Sequence, residues 1–284
     1  MTVSPTPGRA EAVAPGIVSV LADNPSVFTG PGTGTLIVGA GSDVTVVDPG
    51  PDDPAHLAAL LAAIGARRVR AILVTHNHID HSPLARALAD ATGAAVAGAA
   101  PMLPEPALGA EGFDATYAPD QVLADGDTIG GDGWLLAAIA TPGHTSNHLS
   151  FAWASAGLIL TGDHVMGWST SVILPPDGSM GAYMASLDRL LARPETRFLP
   201  THGPAVENGH ARVRALGHHR RLREDQIVTL LRERARTITA IVETLYAQVD
   251  RRLWPAAAKS VEAHLIWLAE RGRARADGAV WSLA

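Results

Sequence analysis

The sequence predicts an α/β fold in which two mixed β-sheets pack face to face with helices outside, followed by a small helical domain. Three observations carry this expectation. Short apolar runs that read as strands outnumber the helical patterns and alternate with them unevenly, which suits sandwiched mixed sheets. Several of these runs end at a histidine or an aspartate that stands beside a glycine, as if strand ends converged on one place. Beyond about residue 205 the texture changes, and apolar side chains recur at steps of three and four, the period of a helix.

The elements follow in order. Strands are expected near Ile17–Val20, Thr35–Val38 and Val44–Val47, then a helix over Pro54–Ile64 and a buried strand through Val69, Ala71, Ile72, Leu73 and Val74. A helix over Ser82–Ala91 comes next, with strands near Ala94–Ala97, Trp134–Ala140, Leu149–Trp153 and Leu158–Leu160, a helix over Gly181–Ala192, and a short strand at Phe198–Pro200. Leu103–Gly133 is rich in Pro, Gly and Asp and reads as loop. The tail has three helices, Gly209–Arg234, Ile238–Ala247 and Ala256–Glu270, with Pro255 placed to start the third, and a closing strand at Ala279–Leu283. The turn around Gly203, Pro204 and Asn208 is the expected linker, giving domains 1–204 and 205–284.

Composition agrees with a folded, two-part protein. With 284 residues, 47% of them hydrophobic, the chain has ample material to bury. No window reaches the roughly 18 consecutive apolar residues of a membrane helix, and Met1–Gly16 lacks a basic start followed by an apolar run, so a cytoplasmic protein is expected. Without cysteine there are neither disulfides nor thiolate ligands, and any metal must be held by nitrogen and oxygen. That composition leaves zinc, iron and manganese all open.

Chemistry concentrates in Thr75-His76-Asn77-His78-Ile79-Asp80-His81. Four potential ligands at 76, 78, 80 and 81 cannot face one way on a strand or on one helix, so they fit a tight turn between strand and helix that aims side chains at two nearby points. Neutral imidazole and carboxylate are the donors that zinc, iron and manganese accept. His144 in Thr141-Pro142-Gly143-His144, Asp163 in Thr161-Gly162-Asp163 and His202 in Thr201-His202-Gly203 each follow a short hydrophobic strand. Each alone reads as a hydrogen-bonded histidine or a turn aspartate; together with the turn they make seven candidate ligands.

These residues resemble the metallo-β-lactamase superfamily, whose His-x-His-x-Asp-His signature is matched by His76, His78, Asp80 and His81. The resemblance implies the αβ/βα sandwich, with one metal on His76, His78 and His144, a second on Asp80, His81 and His202, and Asp163 bridging two zinc ions. Common zinc β-lactamases carry a cysteine where this chain has Asp163, so penicillin hydrolysis is not expected. Flavodiiron oxygen reductases replace the signature's second histidine with glutamate and append a flavodoxin domain; this chain keeps His78. What remains resembles the glyoxalase II, ribonuclease and lactonase side of the superfamily, with a mononuclear iron dioxygenase of the persulfide type as an alternative.

From Gly162 onward the order Gly-Asp-His-Val-Met-Gly, Tyr183-Met184-Ala185-Ser186-Leu187 and Pro200-Thr201-His202-Gly203-Pro204, followed by a helical tail, resembles β-lactamase-like endoribonucleases that end in a winged-helix domain. Some fungal thioesterases share that arrangement, so both RNA phosphodiester and acyl thioester stay open as substrates. Charge divides the chain: residues 1–204 carry 8 basic and 19 acidic side chains, residues 205–284 carry 14 and 9. Arg212, Arg214, Arg220, Arg221 and Arg223 suit either phosphate contacts to single-stranded RNA or a solvated helix face, an intramolecular contact or a homodimer contact. Tyr246, Trp254, Trp267 and Trp281 are the tail's aromatics, for base stacking or for core.

The resemblance implies hydroxide made at two cations, with Asp80 orienting it and Asp163 spacing the metals. Asp48, in Val46-Val47-Asp48-Pro49-Gly50, suits either a turn or an acceptor for the far nitrogen of a ligand histidine. His148 and His164 read as structural neighbours of the ligands or as proton donors to the leaving group. A nucleic-acid-binding protein with structural metals completes the alternatives.

Overall fold

The computed structural model describes residues 6–102 and 112–284. By its internal packing the chain forms two units: residues 1–141, 147–169 and 193–209 make the first, and residues 142–146, 170–192 and 210–284 the second.

The first unit holds two mixed sheets. One runs β1 (Ala10–Ala14), β2 (Ile17–Leu21), β3 (Gly34–Val38), β4 (Asp43–Val47), β5 (Arg68–Val74), β6 (Ala95–Gly98) and β7 (Gln121–Val122) in spatial order. Its first four strands pair antiparallel and the rest parallel. The other is ordered β12 (Arg197–Pro200), β11 (Leu158–Gly162), β10 (Leu149–Trp153), β9 (Trp134–Ala140) and β8 (Thr128–Gly131), with β11 and β12 parallel and the rest antiparallel. Parallel strands buried on both faces should be apolar throughout, and β5 carries Ala71, Ile72, Leu73 and Val74, all buried.

One buried cluster contains Leu36, Leu73, Leu136, Phe151 and Leu199, drawn from both sheets, and is the sandwich core. A second, with Val46, Ile72 and Val74 from the other face of the first sheet, packs on α1 (Pro54–Ile64) and α2 (Leu84–Thr92) through Leu60, Ile64 and Leu88. The start of α1 is written locally: Asp53 caps it by accepting from the Ala55 N–H at 2.9 Å, and Pro54 occupies the first turn, where no N–H is needed.

The expected loop over Leu103–Gly133 needs correction where it is described. Residues 103–111 lie outside the described residues, but Gln121–Val122 and Thr128–Gly131 are strands β7 and β8. The glycines of β8, and Asp127 and Asp132 on either side of it, hid its pairing with β9, with Thr128 opposite Ala137 and Gly131 opposite Trp134.

In the second unit, α3 (Met180–Leu191) packs on α6 (Trp254–Glu270). The C-terminal segment adds α4 (Gly209–Glu233), α5 (Ile238–Leu245) and a three-stranded sheet of β13 (Arg236–Thr237), β15 (Val280–Leu283) and β14 (Ala274–Asp277). Ile227, Leu231, Ile241, Val261, Leu265 and Leu268 form its core, with Tyr246, Trp254 and Trp281 packed against it, so these aromatics serve as core. This is the expected winged helix. One of the five clustered arginines is buried, and half-buried Arg223 is engaged within the protein. Arg220 is only 3% exposed, donates to the Ser171 carbonyl and lies 5.3 Å from the Tyr183 ring; Arg223 lies 4.3 Å from the Tyr246 ring and donates to the Leu245 carbonyl. Arg214 and Arg221 are exposed. Buried Glu224 accepts from Arg271 and Arg273.

His264 is fully buried on α6 with no hydrogen-bond partner on either ring nitrogen among the described residues. Burial, then the charges of Arg220 and Arg223, push its pKa down to about 3. A folded-state pKa below the unfolded value means the neutral ring stabilises the fold above pH ~6.5, and this is lost as pH falls toward 3. Between pH 7 and 4.5 this one residue is expected to cost about 2–3 kcal/mol. His264→Leu should flatten the acid limb of a denaturant-unfolding series by that amount; identical limbs for the two proteins would refute the assignment.

Candidate metal centre

The ligand candidates of the first unit sit where strands end. Thr75 and His76 follow β5, Asp163 follows β11, Thr201 and His202 follow β12, and Asp48 follows β4. In parallel stretches the carboxyl ends of strands share one rim, so these residues, far apart in sequence, arrive together.

Asp48 ties the rim. Its Oδ1 accepts the Thr75 backbone N–H at 2.8 Å, and its Oδ2 accepts the hydroxyls of Thr75 at 2.8 Å and Thr201 at 3.1 Å and faces His81 Nδ1 at 3.0 Å. The residue is 1% exposed and has φ of 51°, a left-handed conformation that aspartate and asparagine tolerate better than other side chains. A carboxylate only accepts, so His81 Nδ1 carries a proton, and Nε2 is the ring atom left to face a cation. The Thr75 hydroxyl spends its proton on Asp48; it therefore receives one from His76 Nδ1 at 2.9 Å, leaving His76 Nε2 as lone pair.

The ring nitrogens gather with the carboxylates. With His76 Nε2 as acceptor, His78 Nδ1 is the donor that faces it at 2.9 Å. His81 Nε2, fully buried and without a hydrogen bond among the described residues, lies 3.5 Å from Asp80 Oδ2 and 3.6 Å from Asp163 Oδ2. His202 Nε2 lies 3.2 Å from Asp80 and 3.4 Å from Asp163, while its Nδ1 faces the Gly32 carbonyl at 3.3 Å. Two triads, His76–His81–Asp163 and Asp80–His81–His202, place one donor atom each within 4.8 Å of one another. A buried imidazole nitrogen with no hydrogen bond, aimed at two carboxylates, is what a cation-binding donor set looks like.

Charge points the same way. Burial opposes charge on His81 and His202, yet Asp163 and Asp80 hold the pKa of His81 well above its ordinary value and that of His202 at about 10. Burial likewise works against the carboxylates, and the two histidines hold Asp80 and Asp163 below their usual range. The two carboxylates demand positive charge between them, supplied by protonated imidazoles or by a metal ion that displaces those protons.

The other expected residues are also placed. His148 accepts the Asp163 N–H at Nε2, 3.2 Å away, so its Nδ1 proton goes to the Thr141 hydroxyl at 2.8 Å. Both nitrogens are engaged, and His148 orients Asp163 rather than serving as a free proton donor. His164 is buried with its ring 5.9 Å from that of His148. In the second unit, His144 stands in the turn after β9 and donates from Nδ1 to the Val172 carbonyl at 2.6 Å, which leaves Nε2 as its lone pair. Gly143, at φ of 143°, abuts the Tyr183 backbone so closely that a Cβ would sit 2.4 Å from Tyr183 Cα. Sequence reasoning missed the hydroxyls of Thr33, Thr75 and Thr201. Thr33 donates to Asp80 Oδ2 at 3.1 Å. The signal was available, since a threonine immediately precedes both His76 and His202.

A model of the metallo-beta-lactamase superfamily matches residues 27–202, and one of the beta-lactamase-associated winged-helix domain matches residues 237–281. The chain belongs to the metallo-β-lactamase superfamily. It is 29% identical to "Beta-lactamase-like protein 2 homolog" of Drosophila melanogaster, over 91% of this chain and 89% of that one. It is 28% identical to "Atrochrysone carboxyl ACP thioesterase" of Aspergillus fumigatus, over 78% of this chain and 66% of that one. A beta-lactamase domain protein from Burkholderia ambifaria superposes with a TM-score of 0.84 over 100% of this chain and 96% of its own, at 19% identity, and shares the fold. Superfamily members bind divalent metals, and the cluster at the strand ends fits that chemistry.

Asp48→Asn keeps the backbone conformation but removes the charge and one acceptor oxygen. It should destabilise the protein by about 2–4 kcal/mol, since four donors lose a charged partner in a buried site. Thr201→Val should cost about 1 kcal/mol. Equal stability of D48N and wild type in urea titration would show that Asp48 does not tie the rim.

Proposed function

We propose that the chain is a dinuclear, zinc-dependent hydrolase acting on an acyl thioester. The observation that carries the proposal is the convergence of buried, correctly tautomerised nitrogens on Asp80 and Asp163. In this reading His76, His78 and His144 hold one ion, Asp80, His81 and His202 hold the other, and Asp163 bridges them. Iron or manganese would suit the same nitrogen and oxygen donors. When bound, two such ions supply a water acidic enough to ionise near neutral pH and polarise the carbonyl under attack.

The chain's own residues set the stage. Asp48 and the Val172 carbonyl each take an Nδ1 proton, from His81 and His144, so Nε2 is the atom that each ring would offer to a cation. His148 holds the Asp163 backbone, and Thr33 holds Asp80 Oδ2, which steers the carboxylate that orients the nucleophilic water. The chain has no cysteine to act as nucleophile.

Similarity to a protein named as a thioesterase supports the carbonyl substrate. The winged-helix domain favours the second reading, single-stranded RNA, with exposed Arg214 and Arg221 as phosphate contacts. Buried Arg220 and half-buried Arg223, both bonded within the protein, weaken it.

Protein purified without added metal should carry about two zinc ions per chain, and thiol release from an acyl thioester should fall at least 100-fold in His78→Ala with folding intact. A side-by-side assay on a short single-stranded RNA decides the substrate. RNA cleavage without thioester hydrolysis would overturn the thioester reading. About one iron per chain would favour the oxygenase, and full turnover in His78→Ala would make the metals structural.

A further inference from the structure

A cavity of about 560 Å3 opens in the first unit beside the rim that carries the ligand candidates. Its position follows from topology. β1 and β3 begin, and β2 and β12 end, at that rim: Gly34 pairs with Leu21, Ala10 with Val20, and the Gly34 N–H donates to the Thr201 carbonyl at 2.9 Å. The partition between cavity and ligands is one strip of chain. Gly32 presents its carbonyl to His202 and Thr33 its hydroxyl to Asp80, whereas Pro31 and Gly34 line the cavity. Thr201 and Gly203, on either side of His202, line it too.

The walls are hydrocarbon. Val13, Leu21, Leu36 and Leu199 form the interior, Trp168 and Pro204 the lip, and the charged groups are confined to Arg9, which is exposed, and half-buried Glu11. Trp168 is 45% exposed, and Val27 and Phe28 of the preceding loop are more than half exposed. Isolated exposed apolar residues are ordinary, but an apolar lip on a ligand-sized apolar cavity marks a binding site. Among the described residues no buried charge faces the cavity, so a phosphate or a carboxylate would gain nothing inside it.

We infer that this cavity receives the hydrocarbon tail of a medium-chain acyl group whose thioester carbonyl lies at the candidate metal centre. The inference rests on the thioester reading and gives it a substrate class. A methylene takes up roughly the ~30 Å3 of a water molecule, so a chain of about ten carbons would occupy about half the space. Each methylene moved from water into such walls should raise kcat/KM by about fourfold until the cavity is filled.

The test uses the full chain and a series of straight-chain acyl thioesters from acetyl to dodecanoyl. Wild type should show kcat/KM climbing with length through the whole series, since by the methylene volume above even about twelve carbons leave part of the cavity open. Ser19→Phe and Ala205→Phe fill the cavity from opposite walls, and each should lower the octanoyl-to-acetyl ratio of kcat/KM at least tenfold. A wild type indifferent to length, or a ratio that neither variant moves, would overturn the inference. If no thioester is hydrolysed at all, the thioester reading fails, and the cavity is read by Trp168 fluorescence. Titration with 10-bromodecanol, with the Trp168→Phe protein as background, should then give saturable quenching that both filling variants weaken; linear, non-saturable quenching would overturn the hydrocarbon site.

Discussion

The Asp48 carboxylate is the constraint on which the site depends. It receives an amide, two hydroxyls and an imidazole N–H from the ends of β5 and β12 and from the ligand turn, and is buried while doing so. A buried carboxylate without such partners would cost several kcal/mol. With them it fixes where three pieces of chain meet and which nitrogen of His81 faces Asp80 and Asp163. The left-handed backbone at Asp48 lets the chain turn out of β4 at the spot where that side chain must point inward.

Around this hub the hydrogen bonds form a relay of tautomers. Because Asp48 takes the Thr75 proton, Thr75 must take one from His76; because Asp163 gives its N–H to His148, His148 must give its own proton to Thr141. Each step is dictated by donor and acceptor capacity, and each leaves a side chain oriented before any ligand arrives. The short threonine hydroxyl suits this duty, since it both accepts and donates from a fixed place on a strand end.

Much of this was legible in the chain, and the reasons differ by residue. The helix over Pro54–Ile64 was readable from Asp53-Pro54 at its start, and β9 and β10 from their apolar runs, because those signals are local. The strand β1 was not, since Ala-Glu-Ala-Val-Ala has little β-forming bulk and is held by pairing with β2. Nor were β13 and β14, whose arginine, threonine and aspartate enter a ladder only once β15 lies between them. The ligand candidates were visible as residue types after strands. Their supports, among them the Val172 carbonyl behind His144 and the Gly32 carbonyl behind His202, are backbone groups from distant segments and leave no mark in the sequence. The burial of Arg220 was hidden for a similar reason: a charge run shows its sign but not which member a fold turns inward.

Anomalous diffraction from crystals of the zinc-loaded protein, collected on both sides of the zinc absorption edge, asks whether these side chains form one site for two cations. Two peaks are expected, one ligated by His76, His78 and His144 and one by Asp80, His81 and His202, with Asp163 reaching both. A single peak, or zinc bound away from the strand ends, would contradict it.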